Sequence, residues 1–105
     1  MKEYQYTLID FSHYFGDVWS ALSVDEWKTR PVLVAETGIN PRTLSACISQ
    51  MRRAGYPIVS KRTSGLKIAR TAEEIEANIV WLEDTAEAYL ATIEDLKRIR
   101  KEKFE

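Results

Sequence analysis

A chain of 105 residues holds about one domain. With 45% apolar and 30% charged residues it has a globular balance, not that of a disordered tail. No apolar run approaches the ~20 residues that span a bilayer, "MKEYQYTLID" does not read as a signal peptide, and the single cysteine, Cys47, excludes an internal disulfide framework. A cytosolic chain that needs no membrane, metal or cofactor is expected.

The net charge of -1 conceals three blocks. From Asn40 to Arg70 there are seven basic residues (Arg42, Arg52, Arg53, Lys61, Arg62, Lys67, Arg70) and no acid. Thr71 to Leu96 carries eight acids and no Lys or Arg, and Lys97 to Glu105 carries five bases and two acids. Segregation of this kind suggests a surface of one sign that faces a polyanion.

The first element is a helix. Leu8, Phe11, Phe15, Val18, Trp19 and Leu22 recur at helical steps, with Thr7 as the cap and Asp10 in the first turn. "SVDEW" (Ser23 to Trp27) reads as a Ser-x-x-Glu capping box that opens a second, short helix. Thr29 then caps "RPVLVAET", which stops at Gly38. Asn40 and Pro41 start the next helix, 41–54: an Asn cap, then Pro at the first helical position. Leu44, Ile48 and Met51 fall on its inner face with Cys47 beside them, and Gly55 is the left-handed terminator. Cys47 is expected to be a buried core residue, not a nucleophile.

Residues 56–69 follow as a hairpin. Ile58 and Val59 suit one strand, Leu66 and Ile68 the other, and "KRTSG" turns between them with Lys61 and Arg62 at the tip. Thr71-Ala-Glu-Glu74 is a further capping box. No Gly or Pro occurs after Gly65, so one helix should run to the end of the chain. At 1.5 Å per residue it would exceed the roughly 30 Å width of a globule this size. Along it Ile75, Ile79, Leu82, Ala86, Tyr89, Ile93 and Leu96 are spaced 4, 3, 4, 3, 4, 3, a heptad seam suited to a homodimer of unspecified orientation. The alternative is an amphipathic helix packed on its own domain. Trp81 and Leu90 lie off the seam and could meet the domain.

Helix, glycine turn, helix, basic hairpin and helix together resemble a winged helix-turn-helix domain. The fold class is therefore mostly α with a small β-hairpin wing and a long C-terminal helix, divided as 1–70 and 71–105. Within "LVAETGINPRTLSACISQMRRAGYPIVS", the Leu33-Val34 pair, Gly38-Ile39, Asn40 and "MRRAGYPI", with Gly65 beyond, resemble the winged helix of the biotin-repressor family. Val34 stands where that family has a small Ala.

The resemblance implies double-stranded DNA as the partner, with the recognition helix in the major groove. Asn40, Arg42, Thr43, Ser45, Ala46 and Ser49 are the base-facing positions it suggests, and Gln50 and Arg53 would touch backbone. Lys61, Arg62 and Lys67 would hold flanking DNA. Arg42 stands out, because a guanidinium can take guanine O6 and N7 together. A small transcriptional regulator is the simplest role, and a phage replication or excision factor would use the same contacts. The other reading is a winged-helix module that holds protein and assembles through its last helix. An enzyme is not expected: the chain has one His, one buried-looking Cys and no phosphate loop.

Overall fold

The computed structural model describes residues 9–104. A single 3-10 turn, Ser12–Tyr14, leads into α1 (Phe15–Ala21). After it come α2 (Arg30–Thr37), α3 (Pro41–Arg53), the hairpin strands β1 (Ile58–Lys61) and β2 (Gly65–Ile68), and the long α4 (Ala72–Phe104). The chain is mostly helical, with one antiparallel hairpin and a long C-terminal helix, as its sequence pattern predicts.

The helix boundaries follow from local chemistry. Thr29 Oγ1 accepts the Val32 N–H, and Gly38 closes α2 in the left-handed conformation at φ 74°. Asn40 Oδ1 accepts the Thr43 N–H at 2.9 Å, which satisfies one of the open donors of α3. Gly55, at φ 105°, ends α3 in a turn where its own N–H returns to Arg52 O and the Tyr56 N–H to Met51 O. At the start of α4 the capping box is reciprocal. Thr71 Oγ1 accepts the Glu74 N–H, and Glu74 Oε1 accepts the N–H groups of Arg70 and Thr71.

One core joins the three short helices to the hairpin. Val18, Leu33, Leu44, Cys47, Ile48, Met51 and Leu66 are fully buried in it. Each large side chain among them contributes about 1.5–3 kcal/mol by leaving water. Tyr56 extends this core. Its ring meets Phe15 and Trp19 edge-on, at 5.7 and 5.1 Å between centroids. Cys47 lies inside, and burial pushes its thiol up to about 11, so it packs as a small apolar residue.

Two sequence expectations are corrected. The first helix does not begin near Leu8. Thr7 and Leu8 lie outside the described residues, and Asp10 precedes the helical turn, where its Oδ1 accepts the Ser12 N–H at 2.8 Å. The reason is Gln50. Its amide accepts the Phe11 N–H at 3.0 Å and donates to Ile9 O at 2.6 Å, so a carbonyl that a longer helix would use is already bonded.

Nor does "SVDEW" form a helix. Ser23 Oγ still accepts the N–H groups of Asp25 and Glu26 at 3.0 and 3.1 Å, but no helical turn follows. Lys28 instead pairs with Leu66 through both backbone bonds, at 2.9 and 2.8 Å, and Ser23 O accepts the Ile68 N–H. The segment acts as a third, partial strand beside β2. A helix there would take those same backbone groups away from the sheet.

The hairpin pairs Ile58 with Ile68 and Lys61 with Gly65. Gly65 fits for two reasons. Its φ is 106°, and a Cβ there would lie 2.0 Å from Lys28 O. The other edge of the hairpin is closed by α4: the Asn78 side chain donates to Ser60 O at 2.8 Å and accepts the Ser60 N–H at 3.1 Å. With Glu74 and Trp81 on the same side, Asn78 fixes the first third of α4 to β1. The remainder leaves the domain. At 1.5 Å per residue its 33 residues run about 50 Å, matching the molecule's 51 Å length.

Gly65→Ala combines a left-handed φ with a backbone collision and should cost roughly 3 kcal/mol in urea unfolding. Gly38→Ala, with nothing within 4 Å of the added methyl, should cost only about 1 kcal/mol. Equal losses would contradict the role given to the Gly65–Lys28 contact.

Candidate nucleic-acid interface

The face of α3 that points away from the core carries Arg42, Ser45, Ser49 and Arg53, all exposed. The reason is helical spacing: Leu44, Cys47, Ile48 and Met51 occupy one side, which turns these four to the other. Asn40 is exposed at the helix start, with its side-chain oxygen committed to the cap. Thr43 is half-buried. Lys61 and Arg62 are exposed at the hairpin turn. Among the described residues, Arg30, Arg42, Arg53, Lys61 and Arg62 form no ion pair.

Three of the residues selected from sequence are placed otherwise. Ala46 is buried, at 9% exposure, and has almost no surface to offer a base. Gln50 is the clamp on Ile9 and Phe11, so its amide already has a structural task. Lys67 reaches Glu74 Oε2 at 2.7 Å and lies 5.4 Å from the Trp27 ring centre, which draws it toward α4. Arg70, the last of the basic block, pairs with Asp25.

Sequence reasoning missed Arg30. It opens α2 and joins Arg52, Lys61 and Arg62 in lining a groove of about 510 Å³. The signal was present but interrupted. Glu36 ended the acid-free window, yet Glu36 binds Lys28 at 2.9 Å and leaves Arg30 unpaired. Arg52 donates its Nε–H to Ile58 O at 2.8 Å, an internal strut. Burial, and then the charge of Arg30, holds its pKa below the usual arginine value. Trp81 and Leu82 of α4 form the apolar wall of this groove.

A second, smaller cavity of about 240 Å³ lies between β1 and α4, lined by Trp27, Val59, Lys61, Asn78 and Trp81. Asn78 had no distinguishing sequence signal, because its partner Ser60 lies 18 residues away in the chain.

Arg30, Arg52, Lys61 and Arg62 share one groove, and Arg42, Ser45, Ser49 and Arg53 share the exposed face of α3. No group of three or more His, Cys, Asp or Glu among the described residues is placed to hold a metal ion. None of their helices is long and apolar enough to cross a membrane. Comparison with protein-family models, with curated proteins and with solved structures gives no match for this chain.

Glu74 joins the hairpin to α4. Its bond to Lys67, then the Arg70 N–H, holds its carboxyl down to about 2 from an ordinary 4.5. A carboxylate that ionises more readily when folded stabilises the fold above its ordinary pKa and loses that contribution as pH falls through the folded value. Melting temperature should therefore drop between about pH 4.5 and pH 2. Glu74→Gln should be less stable at pH 7 and show a smaller drop over that range. A variant with the wild-type pH profile would remove Glu74 from this role.

Proposed function

We propose that this chain is a small cytoplasmic transcriptional regulator that binds specific double-stranded DNA as a winged helix-turn-helix protein. In this reading α3 enters the major groove and the hairpin is the wing on flanking DNA. The observation that carries it is the distribution of unpaired cations. Arg42 and Arg53 line the outer face of α3, Lys61 and Arg62 the hairpin turn, and Arg30 the start of α2. Three acids near these cations are held elsewhere: Glu36 by Lys28, Asp25 by Arg70 and Glu74 by Lys67. An ordinary protein-docking face has no need of such a partition.

Arg42 is the best base reader, since its position near the helix start is the part of a recognition helix that meets base edges. Ser45 and Ser49 supply short hydrogen bonds to bases or phosphates. Lys61 and Arg62 take backbone or minor-groove contacts beside the major-groove site. Arg30 brings a charge to the start of α2, where free N–H groups also favour phosphate.

The reading is tested by fluorescence anisotropy on duplex DNA. Four phosphate-neutralising cations, Arg30, Arg53, Lys61 and Arg62, give a salt slope of about -3.6, so affinity for random duplex should fall roughly 150-fold between about 50 and 200 mM salt. Arg62→Ala should lower the slope by about 1 and weaken all sequences alike. On a selected operator, Arg42→Ala should lose about 1–3 kcal/mol of discrimination at one base position while random binding changes far less. Absence of binding at low salt, or binding indifferent to charge reversal at Arg42, Lys61 and Arg62, would refute the reading and make the groove a protein-docking surface.

A further inference from the structure

We propose that α4 pairs with α4 of a second copy in antiparallel orientation, with Ile79 packed against the partner's Leu96. The starting observation is an uncovered seam. Ile79, Leu82, Tyr89, Ile93 and Leu96 are 43–67% exposed, and Ala86 between them is exposed as well. The domain leaves them largely open, because it holds α4 by the adjoining face, through Glu74, Asn78 and Trp81; Leu82 also lines the groove beside Arg30 and Arg62. A contiguous apolar strip of this length on a solvent-facing helix calls for an occupant, and its heptad spacing matches a helix of the same kind.

Side-chain size decides the orientation. Antiparallel pairing about the middle of the seam sets Ile79 against the partner's Leu96, Leu82 against its Ile93 and Ala86 against its Tyr89. The smallest seam residue meets the largest, twice by symmetry, and each layer fills to a similar volume. Parallel pairing would set Ala86 against Ala86, which leaves a void, and Tyr89 against Tyr89, which overfills the next layer.

Charge points the same way. The stretch from Glu73 to Asp95 carries eight acids and no base, and five bases follow from Lys97. Parallel helices would align acid with acid along this length. Antiparallel ones bring the basic end of each helix to the acidic start of the other, with Glu76 beside the partner's Lys97. Among the described residues of one chain Lys97 pairs with Glu94, at 3.6 Å on the surface, an ion pair that contributes little. Glu76 makes no ion pair among the described residues.

The dimer needs no DNA to form, so its failure is distinguishable from failure of the DNA reading. If both hold, the two Asn78 anchors lie about 28 Å apart along the rod at 1.5 Å per residue. That is comparable to the roughly 34 Å repeat of half-sites on one face of DNA.

The test uses the full chain. Sedimentation equilibrium without DNA should give about twice the 12.1 kDa of one chain. Ile79→Cys and Leu96→Cys variants are then oxidised alone and as an equal mixture. Cys47 is buried and stays out of the exchange. The mixture should yield covalent dimer, and each variant alone almost none. Because the seam lies outside the domain core, circular dichroism of each variant should match the wild type. Tyr89→Lys should weaken the dimer by at least tenfold without loss of the domain's melting transition. A wild-type mass of one chain at high micromolar concentration would overturn the dimer. Self-crosslinking of Ile79→Cys would overturn the antiparallel orientation.

Discussion

The fold depends on how closely the hairpin approaches the chain that precedes α2. Gly65 lies against the Lys28–Thr29 backbone with no room for a side chain. That approach lets Leu66 exchange both backbone bonds with Lys28 and bury its own side chain in the core. Because Thr29 is the cap of α2, the contact also fixes where α2 begins. The turn at Gly38 then fixes α3 relative to α2. The outer face of α3, the start of α2 and the hairpin turn are therefore placed by one backbone contact, and the cations they carry inherit its geometry.

Electrostatics divides the molecule in a way that the net charge hides. Glu74 satisfies two open donors at the start of α4, neutralises Lys67 and joins the helix to the second strand. A carboxylate with that many partners stays ionised far below its ordinary range. The charges left without an ion pair are cationic on α3 and the hairpin turn, whereas along α4 acids run to Asp95 and bases follow from Lys97. In the proposed dimer the second division serves pairing between chains, as the first serves DNA in the proposed function.

Local signals were legible in the sequence wherever a side chain acts on its own neighbours. Thr29, Asn40 and the Thr71–Glu74 box each bond within three or four residues, and Gly38 and Gly55 act through their own φ, so the boundaries of α2, α3 and α4 follow from short strings. Leu44, Cys47, Ile48 and Met51 were legible as a core face because helical spacing alone separates them from Arg42 and Ser49. Most of the failures involve distant partners. "SVDEW" has the chemistry of a helix start, but the edge of β2 needed its backbone. Gln50 and Lys67 looked free because Ile9, Phe11 and Glu74 are remote from them or follow a change of element. Leu90, a candidate for contact with the domain, is 62% exposed, because the domain ends before α4 reaches it. Ala46 has the size of a groove-facing residue and is nevertheless covered.

Asn78 has a consequence for solubility. A strand with one unpaired edge is a template for another strand, and a short hairpin of high β-propensity is vulnerable to it. Here the edge of β1 is closed at Ser60 by a single carboxamide that imitates a neighbouring peptide group. An apolar residue at position 78 could still pack against the adjacent tryptophans, yet it would leave the Ser60 N–H and C=O facing outward. The danger of such a change is then sheet extension between molecules as much as loss of folded stability. The amide acts as a gatekeeper against aggregation, built into the helix that carries the rest of the chain away.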